Sequence, residues 1–210
     1  MSKIHTVVSM KVQDGNEQAY LSWLNDDAPV LAKVFGRTGI HGKIVLMNGP
    51  YILAHYDADT PMAVGEAFQT PEAVAMLTGR LGALLDPAVP PGFYTEELRW
   101  TRDIEGPLQR AAIALNLKPG KEAAYLDWVR NRARGQFHDL WSRYDIALKE
   151  VLVSGGQVVS YYVIRDASKI LPSFGDPEAI AAMQAGLGEL LDISDTRPPM
   201  FFNQVFAWHD

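Results

Sequence analysis

Three residues in the first half of the chain have side chains suited to proton transfer and to stabilising negative charge. Histidine titrates near neutral pH, so His55 could serve first as a general base and then as a general acid. Lys43 and Arg37 are cations that could polarise an oxygen atom on which charge develops. His55 lies within an apolar run, where a satisfied buried histidine is the competing interpretation. We take these three as the predicted catalytic residues.

A second set of residues could line a binding cavity. Its aromatic members offer flat walls and its basic members offer charge; the set comprises Tyr51, Trp23, His41, Trp100, Trp141, Arg143, Lys149 and Tyr161. Several of them recur in both halves of the chain, which also fits core packing or pairing with carboxylates. His41 and His55 have no histidine counterpart in the second half, so the fold itself does not require them.

The chain contains two copies of one pattern. The segment GNEQAYLSW at 15–23 returns as GKEAAYLDW at 120–128. Similarly, TPEAVAMLTGRLGALLDP at 70–87 returns as DPEAIAAMQAGLGELLDI at 176–193. The spacing of about 105 residues is too long for a solenoid, whose repeats span roughly 20–50 residues. The sequence therefore predicts two fused copies of a small domain.

The repeats are predicted at residues 1–102 and 109–210, joined by a linker at 103–108. A β-branched run at 5–12 is typical of a strand, and the apolar residues that follow it recur at helical spacing. Two further apolar runs flank Asn48-Gly49, a strong hairpin signal. Each copy therefore has the β-α-β-β-α-β order of the ferredoxin-like arrangement.

The predicted fold class is α+β, with two tandem ferredoxin-like units packed sheet to sheet. Ile44, Val45, Leu46 and Met47 are consecutive apolar residues on one predicted strand, so both faces of the sheet need cover. Helices would cover one face, and the sheet of the other copy would cover the second. Such packing would form an α+β barrel within a single chain.

Composition excludes several classes of function. A net charge of −6 disfavours nucleic-acid binding, which needs a basic surface. The absence of cysteine excludes disulfides, thiolate nucleophiles and iron–sulfur clusters. The five histidines lack close ligand spacing and no phosphate-binding motif is present, so we expect neither a metal nor a cofactor. Without a signal peptide or a long apolar run, we expect a cytoplasmic protein with no membrane contact.

The order of these features resembles the tetracenomycin-type aromatic polyketide cyclases, whose members are single ferredoxin-like units that dimerise. The matching segments are VVSMKVQDG, GKIVLMNGPYILAHYDAD, TPEAVAMLTGRLGALLDP, EELRWT and, in the second copy, NQVFAWHD. The family's hairpin histidine lies about two residues after an aromatic, whereas His55 lies four after Tyr51, which keeps it on the same sheet face.

This resemblance implies a cofactor-free cyclase that catalyses aldol cyclisation and dehydration of a poly-β-ketone. It implies a main pocket between helix and sheet of the first half, with His55 as the base and Lys43 and Arg37 polarising oxygen. The expected partners are a small aromatic or polyketide molecule and an acyl carrier protein. Because one chain already holds two copies, we expect a monomer or a weak homodimer.

Other functions are compatible with the same pattern. Antibiotic-biosynthesis monooxygenases share the unit, and the resemblance to them implies cofactor-free oxygenation of an anthrone-type substrate. The segment LKPGKEAAYLDW at 117–128 resembles the opening of the L-rhamnose mutarotases, but the helical histidine of those enzymes is missing between Val129 and Gly135. A barrel that binds a small ligand without catalysis is the alternative from a different class.

Overall fold

The computed structural model describes residues 4–194 and 200–209, which form two compact units. Unit 1 contains residues 4–95 and 204–209, and unit 2 contains the described residues between 96 and 203. These packing units do not coincide with the sequence repeats, because the end of the chain belongs to unit 1. The repeat boundaries drawn from sequence similarity stay a prediction.

Unit 1 is a four-stranded antiparallel sheet with helices on one face. Its elements are β1 (Ile4–Lys11), α1 (Glu17–Gly36), β2 (Ile40–Asn48), β3 (Tyr51–Ala58), α2 (Ala63–Phe68), α3 (Pro71–Thr78), α4 (Arg80–Leu84) and the part of β4 (Gly92–Thr101) up to Thr95. The strands lie in the order β4-β1-β3-β2. This is the ferredoxin-like order predicted from the sequence.

Local chemistry accounts for the element boundaries in unit 1. Gly49 adopts a φ of 54° in the predicted hairpin turn, a conformation that glycine tolerates best. The Thr70 side chain accepts a hydrogen bond from the Ala73 amide and so caps α3, with Pro71 at the first helical position. These signals are short-range, which is why the sequence carries them.

Unit 2 repeats this order with one additional short strand. Its elements are β5 (Gln109–Leu117), α5 (Glu122–Trp128), α6 (Arg134–Gln136), α7 (His138–Arg143), β6 (Ile146–Ser154), β7 (Gln157–Ile164), α8 (Ile170–Ser173), α9 (Pro177–Ala182), α10 (Gly188–Leu190), β8 (Leu191–Asp192) and the part of β9 (Met200–His209) up to Asn203. The strands lie in the order β9-β5-β7-β6, all antiparallel. The α+β class and both ferredoxin-like units are confirmed.

The helices of the two units differ in regularity. In unit 1, α1 runs for 20 residues without interruption. The corresponding region of unit 2 is divided into α5, a π-helical turn at Val129–Ala133, α6 and α7. A second π-helical turn at Met183–Leu187 follows α9. Such turns widen a helix locally and are frequent at functional sites.

Strand alternation gives each sheet a helix-covered face and an opposite face. In unit 1 the cluster on the helix-covered face includes Val45, Ala54 and Tyr56. His55, which lies between Ala54 and Tyr56 on β3, points to the opposite face, because successive side chains of a strand alternate. Strand register therefore decides which side chains of neighbouring strands can meet beneath the helices.

Candidate functional site

Unit 2 contains a cavity of about 90 Å³ between its helices and its sheet. Its aromatic lining consists of Tyr125, Trp128, Phe137, Trp141, Tyr162 and Phe174. Neighbouring rings of this wall are in contact, with centroids 5.9 Å apart for Tyr125–Trp128 and 5.8 Å apart for Phe137–Trp141. Both π-helical turns also border the cavity, through Ala133 and Met183. The irregular helices of unit 2 therefore make room for this space.

Lys149 is the one basic residue among those that line this cavity in the described part of unit 2. It lies on β6 directly opposite Tyr162 of β7, and its Nζ is 3.8 Å from the centre of the Tyr162 ring. The side chain is only 5% exposed, and burial lowers the pKa of Lys149 well below 10.5, an effect that the neighbouring Glu150 partly offsets. Its amine is therefore biased toward the neutral form.

Two tyrosines, Tyr125 and Tyr162, line the same cavity as this amine. Burial raises the pKa of Tyr125 and of Tyr162, and the pKa of Tyr125 is raised further by the nearby Tyr162. The nearby Ser160 offsets part of the effect on the pKa of Tyr162. Both phenols consequently stay protonated at neutral pH and can donate hydrogen bonds to an oxygen atom that gains charge.

Unit 1 has an equivalent cavity, but it measures only about 20 Å³. Lys43 lies opposite Tyr56 in the same register, with its Nζ 5.5 Å from the centre of that ring. The hydroxyls of Tyr20 and Tyr56 are buried and form no hydrogen bond with any residue in the described ranges. A space of this size accommodates about one water molecule, which would satisfy these hydroxyls. The unit 1 cavity is thus too small for an organic substrate.

One duplicated phenylalanine packs differently beside the two cavities. Phe68 packs in unit 1 against Phe35 and Tyr56, with ring centroids 6.0 and 6.2 Å away. Its counterpart Phe174 is 42% exposed and lies at the border of the unit 2 cavity. Because Phe174 turns outward, the space beside Tyr162 stays open and has an apolar mouth.

His55 does not lie in either cavity. In β3 it faces away from the helices, because the adjacent Tyr56 is the residue that pairs with Lys43. Its ring contacts His5 edge-on at 4.7 Å, and Asp57 lies within 3.1 Å of His5 Nε2. The prediction that His55 and Lys43 share a pocket is therefore wrong in its geometry. The location of the main pocket in the first half is corrected likewise.

Arg37 and its counterpart Arg143 form surface ion pairs. Arg37 reaches Glu72 at 3.3 Å, and both side chains are exposed. Arg143 reaches Asp176 at 2.7 Å and Glu178 at 3.1 Å. Neither guanidinium lines a cavity, so the expectation that Arg37 polarises substrate oxygen beside Lys43 is corrected. In each unit the arginine forms ion pairs that join two helical regions, and this shared structural role accounts for its recurrence.

Replacing Arg37 by Ala is expected to leave turnover unchanged and to lower the free energy of unfolding by less than about 1 kcal/mol, because exposed ion pairs contribute little. Urea denaturation and a steady-state assay would measure both. Arg143→Ala removes the equivalent arginine of unit 2 and is the matched comparison, although the carboxylate partners of Arg143 are less exposed than Glu72. A large loss of turnover in the Arg37 variant alone would contradict this assignment.

Two more predicted residues lie at the surface. His41 pairs with Asp59 through its Nε2, at 2.9 Å. Tyr51 stands at the start of β3 beside the hairpin turn, with Lys11 Nζ 5.8 Å from its ring centre. Neither lines the cavities described above, so the expectation that they contact a substrate there is not met.

The remaining predicted binding residues divide between cavity and core. Trp23 lines the small unit 1 cavity, and Trp141 and Lys149 line the larger one. Trp100 packs on Trp141, with ring centroids 5.4 Å apart, and so supports the cavity wall from behind. Tyr161 is buried but faces away from the helices, because Tyr162 occupies the cavity side of β7.

The sequence analysis missed both tyrosine pairs: Tyr20 and Tyr56 in unit 1, and Tyr125 and Tyr162 in unit 2. A signal for them existed, because Tyr56 recurs as Tyr162 at the offset that relates Lys43 to Lys149, and Tyr20 recurs as Tyr125 at an offset one residue shorter. Tyr56 and Tyr162 each lie on the strand next to a duplicated lysine and point to the same face of the sheet as that lysine. This combination would have identified the cluster.

Comparisons with solved structures identify the fold. An anthrone oxidase-like protein superposes with a TM-score of 0.66 at 12% identity, covering all of this chain and 94% of its own. A monooxygenase candidate from Fusobacterium nucleatum gives 0.63 at 9% identity, covering 100% and 95%. A mutant chlorite dismutase from Candidatus Nitrospira defluvii gives 0.58 at 10%, covering 97% and 91%.

At these identities the similarity is one of fold, and these neighbours have several different activities in their names. No protein-family model matches the sequence, and no curated protein matches it significantly. None of the helices in the described ranges is long and apolar enough to span a membrane. Function must therefore be argued from the cavity.

Proposed function

We propose that this protein is a cofactor-independent enzyme that converts an enolisable carbonyl compound of the aromatic polyketide class. The reaction we assign to it is aldol cyclisation followed by dehydration, in the unit 2 cavity. The observation that carries this proposal is a buried lysine, Lys149, in an aromatic cavity with two protonated tyrosines. This group set supplies a proton acceptor and oxyanion donors without a metal or a nucleotide.

The reaction divides between these residues as follows. The neutral amine of Lys149 takes a proton from the carbon next to a carbonyl group, and the enolate oxygen accepts hydrogen bonds from Tyr125 and Tyr162. The enolate carbon then attacks a second carbonyl of the same molecule, and the ammonium group returns its proton to the resulting alkoxide. Loss of water from the β-hydroxy ketone forms the double bond of the new ring.

Cavity volume constrains how the substrate is bound. About 90 Å³ is well below the roughly 300–1,000 Å³ of typical ligand pockets. The cavity therefore receives the part of the substrate that closes the ring, namely the deprotonated carbon and the carbonyl group that it attacks, and the rest of the chain extends through the mouth beside Phe174. An acyl carrier protein that presents such a chain from outside stays a predicted partner.

Oxygenation of an anthrone-type compound is the second candidate. It starts from the same deprotonated carbon, and the anthrone oxidase-like structure supports it through the shared fold. The two reactions differ in their requirement for oxygen. Incubation with a synthetic tetraketide thioester and, separately, with anthrone would distinguish them by mass spectrometry of the products and by oxygen uptake. Binding of either compound without a product would favour a ligand-binding protein.

His55→Gln provides a test of where the chemistry takes place. We expect this variant to retain at least about half of the wild-type turnover, because His55 lies on the sheet face opposite the amine-bearing face of its unit. Thermal unfolding of the same sample would show whether the variant is folded. Loss of turnover in a folded His55→Gln protein would move the active site away from the unit 2 cavity.

A further inference from the structure

Lys149 has an environment that suits a reactive amine. It reaches the cavity from the middle of a buried sheet, and its Nζ forms no ion pair or hydrogen bond with any residue of the ranges 4–194 and 200–209. The nearest described acidic neighbour in sequence, Glu150, pairs with Arg99 at 3.3 Å. Desolvation in an apolar pocket favours the neutral amine of a lysine, and the lone pair of that amine makes it a nucleophile.

The cavity also suits the carbonyl partner of such an amine. The centre of the Tyr162 ring is 3.8 Å from Nζ of Lys149, and Tyr125 lines the same cavity. The hydroxyls of both tyrosines stay protonated. A phenol can donate a proton to a carbonyl oxygen as nitrogen attacks the carbonyl carbon. The lining of the cavity is mainly apolar and aromatic, which favours loss of water from the adduct.

We propose that Lys149 is a nucleophilic amine that condenses with a β-dicarbonyl compound and holds it covalently as an enaminone. This inference rests on the proposed function and deepens it, because the substrate is then activated through a carbon–nitrogen bond and not by proton removal alone. A poly-β-ketone contains the required pair of carbonyl groups separated by one methylene.

The condensation is balanced without an oxidant or a reductant. The Nζ lone pair attacks a carbonyl carbon, and the carbonyl oxygen takes up a proton. The carbinolamine then loses its hydroxyl as water while nitrogen loses a proton, which forms the imine. A proton moves from the central methylene carbon to nitrogen, and the resulting enaminone is conjugated with the second carbonyl. One diketone and one amine thus give one enaminone and one water.

Lys43 is an internal control that the duplication provides. It occupies the equivalent strand position, is also buried, and faces Tyr56 as Lys149 faces Tyr162. The cavity beside it is about 20 Å³, compared with about 90 Å³ beside Lys149. If an accessible cavity decides reactivity, only Lys149 will react.

The test uses acetylacetone as the probe with the folded full-length chain at neutral pH. An enaminone would appear as near-ultraviolet absorbance and as a mass increase equal to acetylacetone less one water. Peptide mapping would locate the modified lysine. We expect the adduct on Lys149 in the wild-type protein and in Lys43→Met, and its loss in Lys149→Met. A saturating concentration of the tetraketide thioester, which would occupy the cavity, should slow labelling several-fold.

Absence of an adduct at Lys149 in the folded protein would overturn the inference, as would equal labelling of Lys43 or of exposed lysines such as Lys121. Cyclisation that depends on Lys149 but gives no adduct would also overturn it, and would leave the proposed function with the amine as a simple base. An adduct in a protein that cyclises nothing would support the inference while the proposed function fails.

Discussion

Lys149→Met is expected to reduce turnover by at least about 100-fold, because a positioned proton-transfer group typically contributes about 10²–10⁴ to a rate. Methionine has a similar length and lacks the amine, so the aromatic wall of the cavity should keep its packing. Removing a buried amine also removes its desolvation cost, and the variant should be at least as stable as the wild type. Product formation from the tetraketide thioester would measure the effect.

Lys43→Met is the matched control for that experiment. It removes the equivalent amine from unit 1, where the cavity accommodates about one water molecule. Its turnover should stay within about twofold of the wild type, which is the variation expected away from the reacting groups. Turnover that survives in Lys149→Met, or disappears in Lys43→Met alone, would contradict the assignment of the site to unit 2.

The same Lys43→Met variant is expected to raise the free energy of unfolding at neutral pH by about 3 kcal/mol. Burial lowers the pKa of Lys43 from 10.5 to about 8. One pKa unit corresponds to about 1.4 kcal/mol. The difference between the pKa of Lys43 in the folded chain and its pKa in the unfolded chain therefore accounts for the expected gain in the free energy of unfolding. Cation–π contacts with Phe35 and Tyr56, 5.6 and 5.5 Å from Nζ, belong to the same environment and would be lost.

The pH dependence of this effect follows from proton linkage. Between pH 8 and 10.5 the unfolded chain binds a proton at Lys43 that the folded chain does not, so the stability contributed by this site rises with pH. The advantage of Lys43→Met is therefore complete below pH 8 and vanishes as the pH approaches 10.5.

Urea denaturation of both proteins across this pH range would measure the difference. Lys33→Met, at an exposed position of α1, is the control, because its removal relieves no desolvation. A stabilisation that stays constant from pH 7 to pH 10.5 would contradict a depressed pKa at Lys43. Destabilisation at neutral pH would mean that the cation–π contacts outweigh the cost of burial.

Much of the fold could be predicted from the sequence because its signals are local. The Asn48-Gly49 turn, the apolar periodicity around Tyr20 and Trp23, and the capped helix after Thr70 each act within a few residues. Duplication then let each half support the interpretation of the other. The strand order observed in both units follows from these elements through the limited connections that a ferredoxin-like unit allows.

The candidate site was predicted only in part. Among the predicted residues, Lys149, Trp141 and Trp23 line cavities, whereas His55, Arg37 and Tyr161 do not, and the role of each in binding or catalysis stays a prediction. His55 and Tyr56 are adjacent in sequence, and a shift of one residue moves a side chain to the other face of the sheet. No local pattern distinguishes the two faces when both are apolar.

The sequence by itself determined two ferredoxin-like units and the duplicated lysines, because periodicity, turns and repeats are properties of neighbouring residues. Only the tertiary structure decided that Lys43 and Lys149 meet tyrosines under the helices, since that depends on which residues of two strands lie opposite each other. It also decided that the larger cavity belongs to unit 2. Cavity volume depends on how Phe68 and Phe174 pack against the rest of their units, and that packing is a property of the whole fold.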